Sequence, residues 1–140
     1  MRTVIDNNVV LDVFQNREPF FEASSKVLRL VETRRIRGFV TANSFTDIYY
    51  VLHRSLKNKQ KAHYFMNLLL KLVGVIDVTG DDIRTALLQD AFDFEDELIC
   101  VCAEGANIDC IVTRNTKDFA NSRVPAVAPE TFIANYFKNA

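Results

Sequence analysis

Glycine, proline and tryptophan are scarce in this chain, which has 4 glycines, 3 prolines and no tryptophan among 140 residues. So few flexible and helix-breaking residues exclude a collagen-like, linker-rich or low-complexity polymer. There is no glycine-rich phosphate loop, no Gly-x-Ser-x-Gly elbow and no His-Glu-x-x-His, so P-loop nucleotide hydrolysis, serine hydrolysis and zinc proteolysis lack their machinery. Histidine is limited to His53 and His63, which sit among helical residues with basic neighbours and read as surface or boundary side chains. Cysteine is limited to Cys100, Cys102 and Cys110, with no Cys-x-x-Cys pair. Two residues apart on a helix, Cys100 and Cys102 point to different sides, which is poor zinc geometry. They read as small core residues in a reducing compartment. No apolar run is long enough to cross a bilayer, and Met1-Arg2 leads into Thr3-Val4-Ile5 without a signal-type segment. The expectation is a soluble, cytoplasmic chain with no membrane partner.

What is present is an ordered globular composition, 49% hydrophobic and 25% charged, sized for one domain over residues 1–140. The net charge of −1 gives no overall basic field. Locally the charges segregate. Arg29, Arg34, Arg35 and Arg37 form one basic cluster, and Arg54, Lys57, Lys59 and Lys61 another. Acids gather at Asp90, Asp93, Glu95, Asp96 and Glu97.

The apolar pattern alternates short β-branched runs with helical stretches. Strands are expected at Thr3–Ile5, Gly38–Thr41, Val75–Val78, Cys110–Thr113 and Val124–Val127. Helices are expected over Val9–Phe14, Phe20–Arg35, Ser44–Leu56, Ala62–Val73, Ile83–Ala91 and Glu95–Glu104, with a last one opened by Pro129. Gly74 is expected to stop the fourth helix, Thr79 with Asp82 to form a capping box, and Asp93 to cap the sixth. Alternation of this kind predicts an α/β three-layer sandwich: a central, mostly parallel sheet of four to five strands flanked by helices.

In such folds ligand sites form where the carboxyl ends of the strands meet. Asp6, Asp47, Asp96 and Asp118 all fall at strand-to-helix turns or helix starts. Four carboxylates converging on one edge repel one another unless a divalent cation neutralises them. The pattern therefore points to a Mg²⁺ or Mn²⁺ site acting on phosphate esters. Helix capping competes as an explanation, for Asp6 at the first helix and above all for Asp47, since Ser44-Phe45-Thr46-Asp47 matches a capping box. Thr113-Arg114-Asn115-Thr116-Lys117-Asp118 presents a hydroxyl, a guanidinium, an amide and a carboxylate on one loop, groups suited to phosphate and metal. A phosphatase or receiver domain with Asp6 as phosphoacceptor is a further reading, weakened by Asn8 in place of a second Asp.

Taken in order, these segments resemble the PIN domain family, the nuclease fold of the virulence-associated-protein-C toxins. Val4-Ile5-Asp6-Asn7-Asn8-Val9-Val10-Leu11-Asp12 resembles its opening, and Ser44 to Tyr50 its second segment, with Asp47 where Glu is commoner. Glu95-Asp96-Glu97-Leu98-Ile99 with Ala103 resembles the third, and Val112-Thr113-Arg114-Asn115-Thr116-Lys117-Asp118-Phe119 the fourth. The resemblance implies a metal-dependent endoribonuclease acting on single-stranded RNA, paired with an antitoxin and forming a homodimer. It makes Asp6, Asp47, Asp96 and Asp118 the catalytic and metal-binding acids, with Glu95 able to substitute for Asp96. Asn8, Ser44, Thr113 and Asn115 become polar supports, and Arg114 a phosphate contact. A non-catalytic RNA- or protein-binding module with the same fold is the alternative.

Overall fold

The computed structural model describes residues 1–138, so residues 139–140 at the end of the expected domain lie outside the described part. The chain runs β1 (Arg2–Ile5), α1 (Asn7–Phe14), α2 (Phe21–Glu32), β2 (Arg37–Thr41), α3 (Ala42–Leu56), α4 (Lys59–Leu72), β3 (Gly74–Ile76), α5 (Gly80–Leu88), α6 (Phe94–Gly105), β4 (Cys110–Val112), a 3₁₀ turn (Thr116–Phe119), β5 (Ala126–Val127) and α7 (Pro129–Lys138). The sheet order is β3-β2-β1-β4-β5, and every pair is parallel. The expected three-layer α/β sandwich is thus present, with its sheet wholly parallel. Among the described residues no helix is long and apolar enough to cross a membrane.

Strand periodicity builds the two outer layers. Successive side chains of a strand point to opposite faces, so Val4, Phe39 and Ile111 join the core formed with α5 and α6. Ile5, Val40, Cys110 and Val112 join the opposite core, with α1, α2, α3, α4 and α7. The central strands are buried on both faces, which is why they read as continuous apolar runs. The cysteines are free and buried, as their expected core role requires.

Strand order reverses beside β1, which has β2 on one side and β4 on the other. Chain connections diverge there and leave a crevice at the carboxyl ends of the strands. Asp6 follows the end of β1 and Thr113 follows the end of β4, so both stand at this switch point. The Arg29–Arg37 basic cluster lies elsewhere, because Arg37 opens β2 in register with Arg2 at the amino ends of the strands. In a parallel sheet that is the edge remote from the crevice, so this cluster does not flank the site.

One expected punctuation point differs. Gly74 does not cap α4, whose terminal Val73 is extended, but begins β3. No glycine has positive φ; the left-handed positions belong to Asn16, Arg34, Lys57, Asp90 and Asn107. Glycine is needed instead for close approach. A Cβ on Gly38 would meet the Val31 methyls at 2.8 and 2.9 Å, and one on Gly74 the Phe39 ring at 2.8 Å. Gly38→Ala is expected to lower stability by about 1–3 kcal/mol through overpacking. In urea unfolding, adding Val31→Ala should recover part of that loss, because the second change opens the space the first one fills.

Candidate metal centre

Asp6 has two jobs at the end of β1. As N-cap of α1 its Oδ1 accepts the Asn7 N–H at 2.8 Å, and its Oδ2 accepts the Thr113 hydroxyl at 2.7 Å and the Asn8 amide at 3.3 Å. Thr113 Oγ1 accepts the Asn115 N–H at 3.0 Å, and Asn8 Oδ1 accepts the Arg114 N–H at 3.3 Å. One polar lattice therefore locks the β1 and β4 loops together across the switch point. Burial raises the Asp6 carboxyl above its ordinary value, while the Thr113 and Asn7 hydrogen bonds pull the other way. An Asp only 2% exposed, with both oxygens engaged, is not an accessible phosphoacceptor, so the receiver-type reading fails.

The carboxylates that converge most closely are Asp93, Asp96 and Asp118, each offering an oxygen within 4.8 Å of the others. Asp93 caps α6, where its Oδ1 accepts the Asp96 N–H at 3.0 Å. Asp96 sits in the first turn of α6, where the helix dipole favours negative charge. Asp118 comes from the 3₁₀ turn after β4. Burial first, then the charges of Asp6, Asp93 and Asp118 and a hydrogen bond with Asp118, push the Asp96 carboxyl up to about 8. Asp6 lies outside the 4.8 Å group yet heads the charges acting on Asp96.

Two expected acids form a separate pair. Glu95 hydrogen-bonds Asp47, and that bond, then burial and the Asp47 charge, push the Glu95 carboxyl up to about 7. Glu95 therefore partners Asp47. The capping box at Ser44 is absent, because α3 begins at Ala42 with Thr41 as its cap residue. The Ser44 hydroxyl instead meets Thr41 Oγ1 at 2.8 Å in a buried pair, and Asp47 stands beyond the first turn with no capping duty.

Arg114 also departs from expectation. Its Nε and Nη2 bind Asp12 Oδ2 and Oδ1 at 2.9 and 3.0 Å, and its guanidinium lies 3.8 Å over the Phe20 ring. The Ser24 hydroxyl donates to the same Asp12 Oδ2 at 2.9 Å. The fork that was expected on phosphate is spent on a fully buried carboxylate, where it ties the β4 loop to α1 and α2. Sequence reasoning missed two residues here. Asp93 was seen only as a cap, although the crowding of acids around it was visible. Asp12 gave no signal except its place in the opening segment.

Three carboxylates with no nitrogen or sulfur donor form the ligand set of a hard cation such as Mg²⁺ or Mn²⁺. The cysteines are unsuited to it: burial raises Cys100 and Cys110 to about 11 and Cys102 to about 12, so all three stay protonated thiols.

Two outcomes follow from these contacts. Arg114→Ala leaves Asp12 buried and unpaired, so urea unfolding should show a loss of about 3–5 kcal/mol. A residue that served only as a phosphate contact would leave stability unchanged. For Asp96, the folded state keeps its proton up to about pH 8 whereas the unfolded chain releases it near 3.8. The folded state thus binds more protons across that window, so stability of the metal-free protein falls as pH rises through it. Thermal melts should show this decline and its reversal by Mg²⁺ at the alkaline end; Asp96→Asn should make the decline shallower and remove the Mg²⁺ reversal.

A buried Asp after β1, acids opening α6, and Thr113 and Asp118 after β4 form an ordered set that can be compared with known proteins. No curated protein matches this chain. Among solved structures, VapBC2 from Rickettsia felis bound to a promoter DNA fragment is 18% identical, with a TM-score of 0.67, covering 91% of this chain and 98% of that one. A toxin–antitoxin complex from Klebsiella pneumoniae is 22% identical, with a TM-score of 0.66, covering 91% and 97%. The sarcin-ricin loop cleaving toxin VapC20 of Mycobacterium tuberculosis is 13% identical, with a TM-score of 0.69, covering 85% and 94%. At such identities the likeness is one of fold. The family itself is fixed by a match to the PIN domain over residues 2–117, and the chain belongs to the PIN domain family.

Proposed function

We propose that the protein is a Mg²⁺- or Mn²⁺-dependent endoribonuclease that hydrolyses phosphodiester bonds in single-stranded RNA, the toxin of a toxin–antitoxin pair. The observation that carries this reading is the convergence of Asp93, Asp96 and Asp118 at the switch-point crevice. Asp6 stands behind them, and Asp47 with Glu95 stands beside them. Similarity in fold to a sarcin-ricin loop cleaving toxin and to toxin–antitoxin complexes supports a nucleolytic toxin and an antitoxin partner. Free buried cysteines suit a cytoplasmic location. Exposed Leu87, Leu88 and Phe92 offer apolar surface for a homodimer.

Asp93, Asp96 and Asp118 would hold the cation, which supplies an activated water and neutralises charge on the reacting phosphate. The chain's own contribution is positional. Thr113 and Asn8 fix Asp6 so that its charge stays behind the site. Asp96 releases its proton as the site fills, which links binding to pH. The Glu95–Asp47 pair holds a proton at the Glu95 carboxyl up to about pH 7, which makes Glu95 a candidate proton donor.

Incubation of the purified protein with single-stranded RNA and Mn²⁺ tests the reading. Cleavage is expected, with EDTA abolishing it and Asp96→Asn or Asp118→Asn lowering it by about 10²–10³-fold. Thr113→Val, which frees Asp6, should cost about 10–100-fold. Absence of cleavage by the wild type, or full activity in the Asp96 and Asp118 variants, refutes the proposal.

A further inference from the structure

Charge in this chain divides sharply around the acidic site. Residues 48–76 contain Arg54, Lys57, Lys59, Lys61 and Lys71 and no Asp or Glu, whereas residues 77–97 hold Asp77, Asp81, Asp82, Asp90, Asp93, Glu95, Asp96 and Glu97. The boundary falls immediately after Asp47. Beyond it on α3, Tyr50 and Arg54 follow at spacings of three and seven residues, which places all three on one helix face. At 1.5 Å per residue, Arg54 stands about 10 Å along the helix from Asp47.

The two side chains form an exposed unit. Tyr50 is 62% exposed, so its ring packs no core. The Arg54 guanidinium carbon lies 5.7 Å from the ring centroid, within cation–π range. Among the described residues no carboxylate pairs with Arg54, Lys57, Lys59 or Lys61, although ion pairs do form elsewhere. Lys57 ends α3, and Lys59 and Lys61 open α4, so the unpaired cations continue outward from Arg54. An exposed ring beside an unpaired guanidinium, with cations beyond and a hydrolytic acid site before, matches how single strands are bound. Bases stack on aromatic faces, and cations follow the backbone.

We infer that Tyr50 and Arg54 form a nucleotide subsite adjoining the acidic centre, in which an RNA base stacks on Tyr50 while Arg54 and the lysines of the α3–α4 turn hold the flanking phosphates. The inference rests on the proposed ribonuclease activity and deepens it, since neither residue is needed for hydrolysis itself. Binding energy gathered here acts on the ground state and the transition state alike, so its loss raises KM and leaves kcat unchanged.

The test uses the full chain and a fluorescein-labelled twelve-nucleotide single-stranded RNA. Binding is followed by anisotropy with Ca²⁺, and cleavage is followed in parallel with Mn²⁺. Tyr50→Ala should weaken binding by about 5- to 140-fold, the worth of one stacked base. Tyr50→Phe, which keeps the ring face, should bind like the wild type. Arg54→Gln should reduce the slope of log affinity against log salt by about 0.7, the loss of one phosphate contact on a single strand. Both residues are exposed, and circular dichroism confirms that the variants fold. Wild-type binding and cleavage with Tyr50→Ala indistinguishable from it would overturn the subsite and leave the nuclease reading standing. A wild type that neither binds nor cleaves would overturn both. If Tyr50→Ala acts by changing the sedimentation coefficient of the protein without RNA, the face is a self-association surface and the inference is wrong.

Discussion

Repulsion among Asp6, Asp93, Asp96 and Asp118 is the constraint around which the rest of this structure is arranged. Like charges brought together in a partly buried crevice favour protonation or a bound cation, and the raised Asp96 carboxyl registers that pressure. The fold confines the charge with fixed dipoles and hydrogen bonds. The amino terminus of α6 faces Asp93 and Asp96, and backbone or hydroxyl donors hold Asp6. Parallel strands bring these loops to one edge, and the reversal of strand order beside β1 opens the space between them. What would be a defect in a purely structural protein is the arrangement that the proposed cation site requires.

A second ionic contact holds the frame in which the first can exist. The Asp12–Arg114 pair, closed by Ser24 and stacked on Phe20, joins the loop after β4 to the first two helices. Removing the charge of Arg114 would release the segment that carries Thr113, Asn115 and Asp118. Arg114 therefore acts on the centre through position and not through contact with phosphate. A buried ion pair adds little to net stability compared with an apolar replacement, but breaking it is costly, so it serves to fix geometry.

The fold was legible in the sequence because the short apolar strand runs and the helical periodicities are each strong and seldom conflict. The capping residues Thr79, Asp82 and Asp93 also announced themselves, since their side chains satisfy neighbouring backbone groups. The site was legible as a set of acids but not as a geometry. Asp93 looked fully explained as a cap because one oxygen is enough for that role, and only the structure shows the other carboxylates that share its surroundings. Arg114 looked like a phosphate ligand because its partner, Asp12, lies far away in sequence. Asp47 looked like a cap because the start of α3 was placed two residues late. Such errors share a cause: local patterns report the backbone's needs, while pairing between distant side chains depends on tertiary contact.

The central claim is that Asp93, Asp96 and Asp118 bind one cation together, with Asp6 behind them and the Asp47–Glu95 pair apart. Anomalous diffraction from crystals of this protein grown with Mn²⁺ tests it directly. The account predicts a single strong peak bonded to oxygens of Asp93, Asp96 and Asp118 at ordinary metal–carboxylate distances. A peak held by Asp47 and Glu95 alone, or no peak at saturating Mn²⁺, would contradict it.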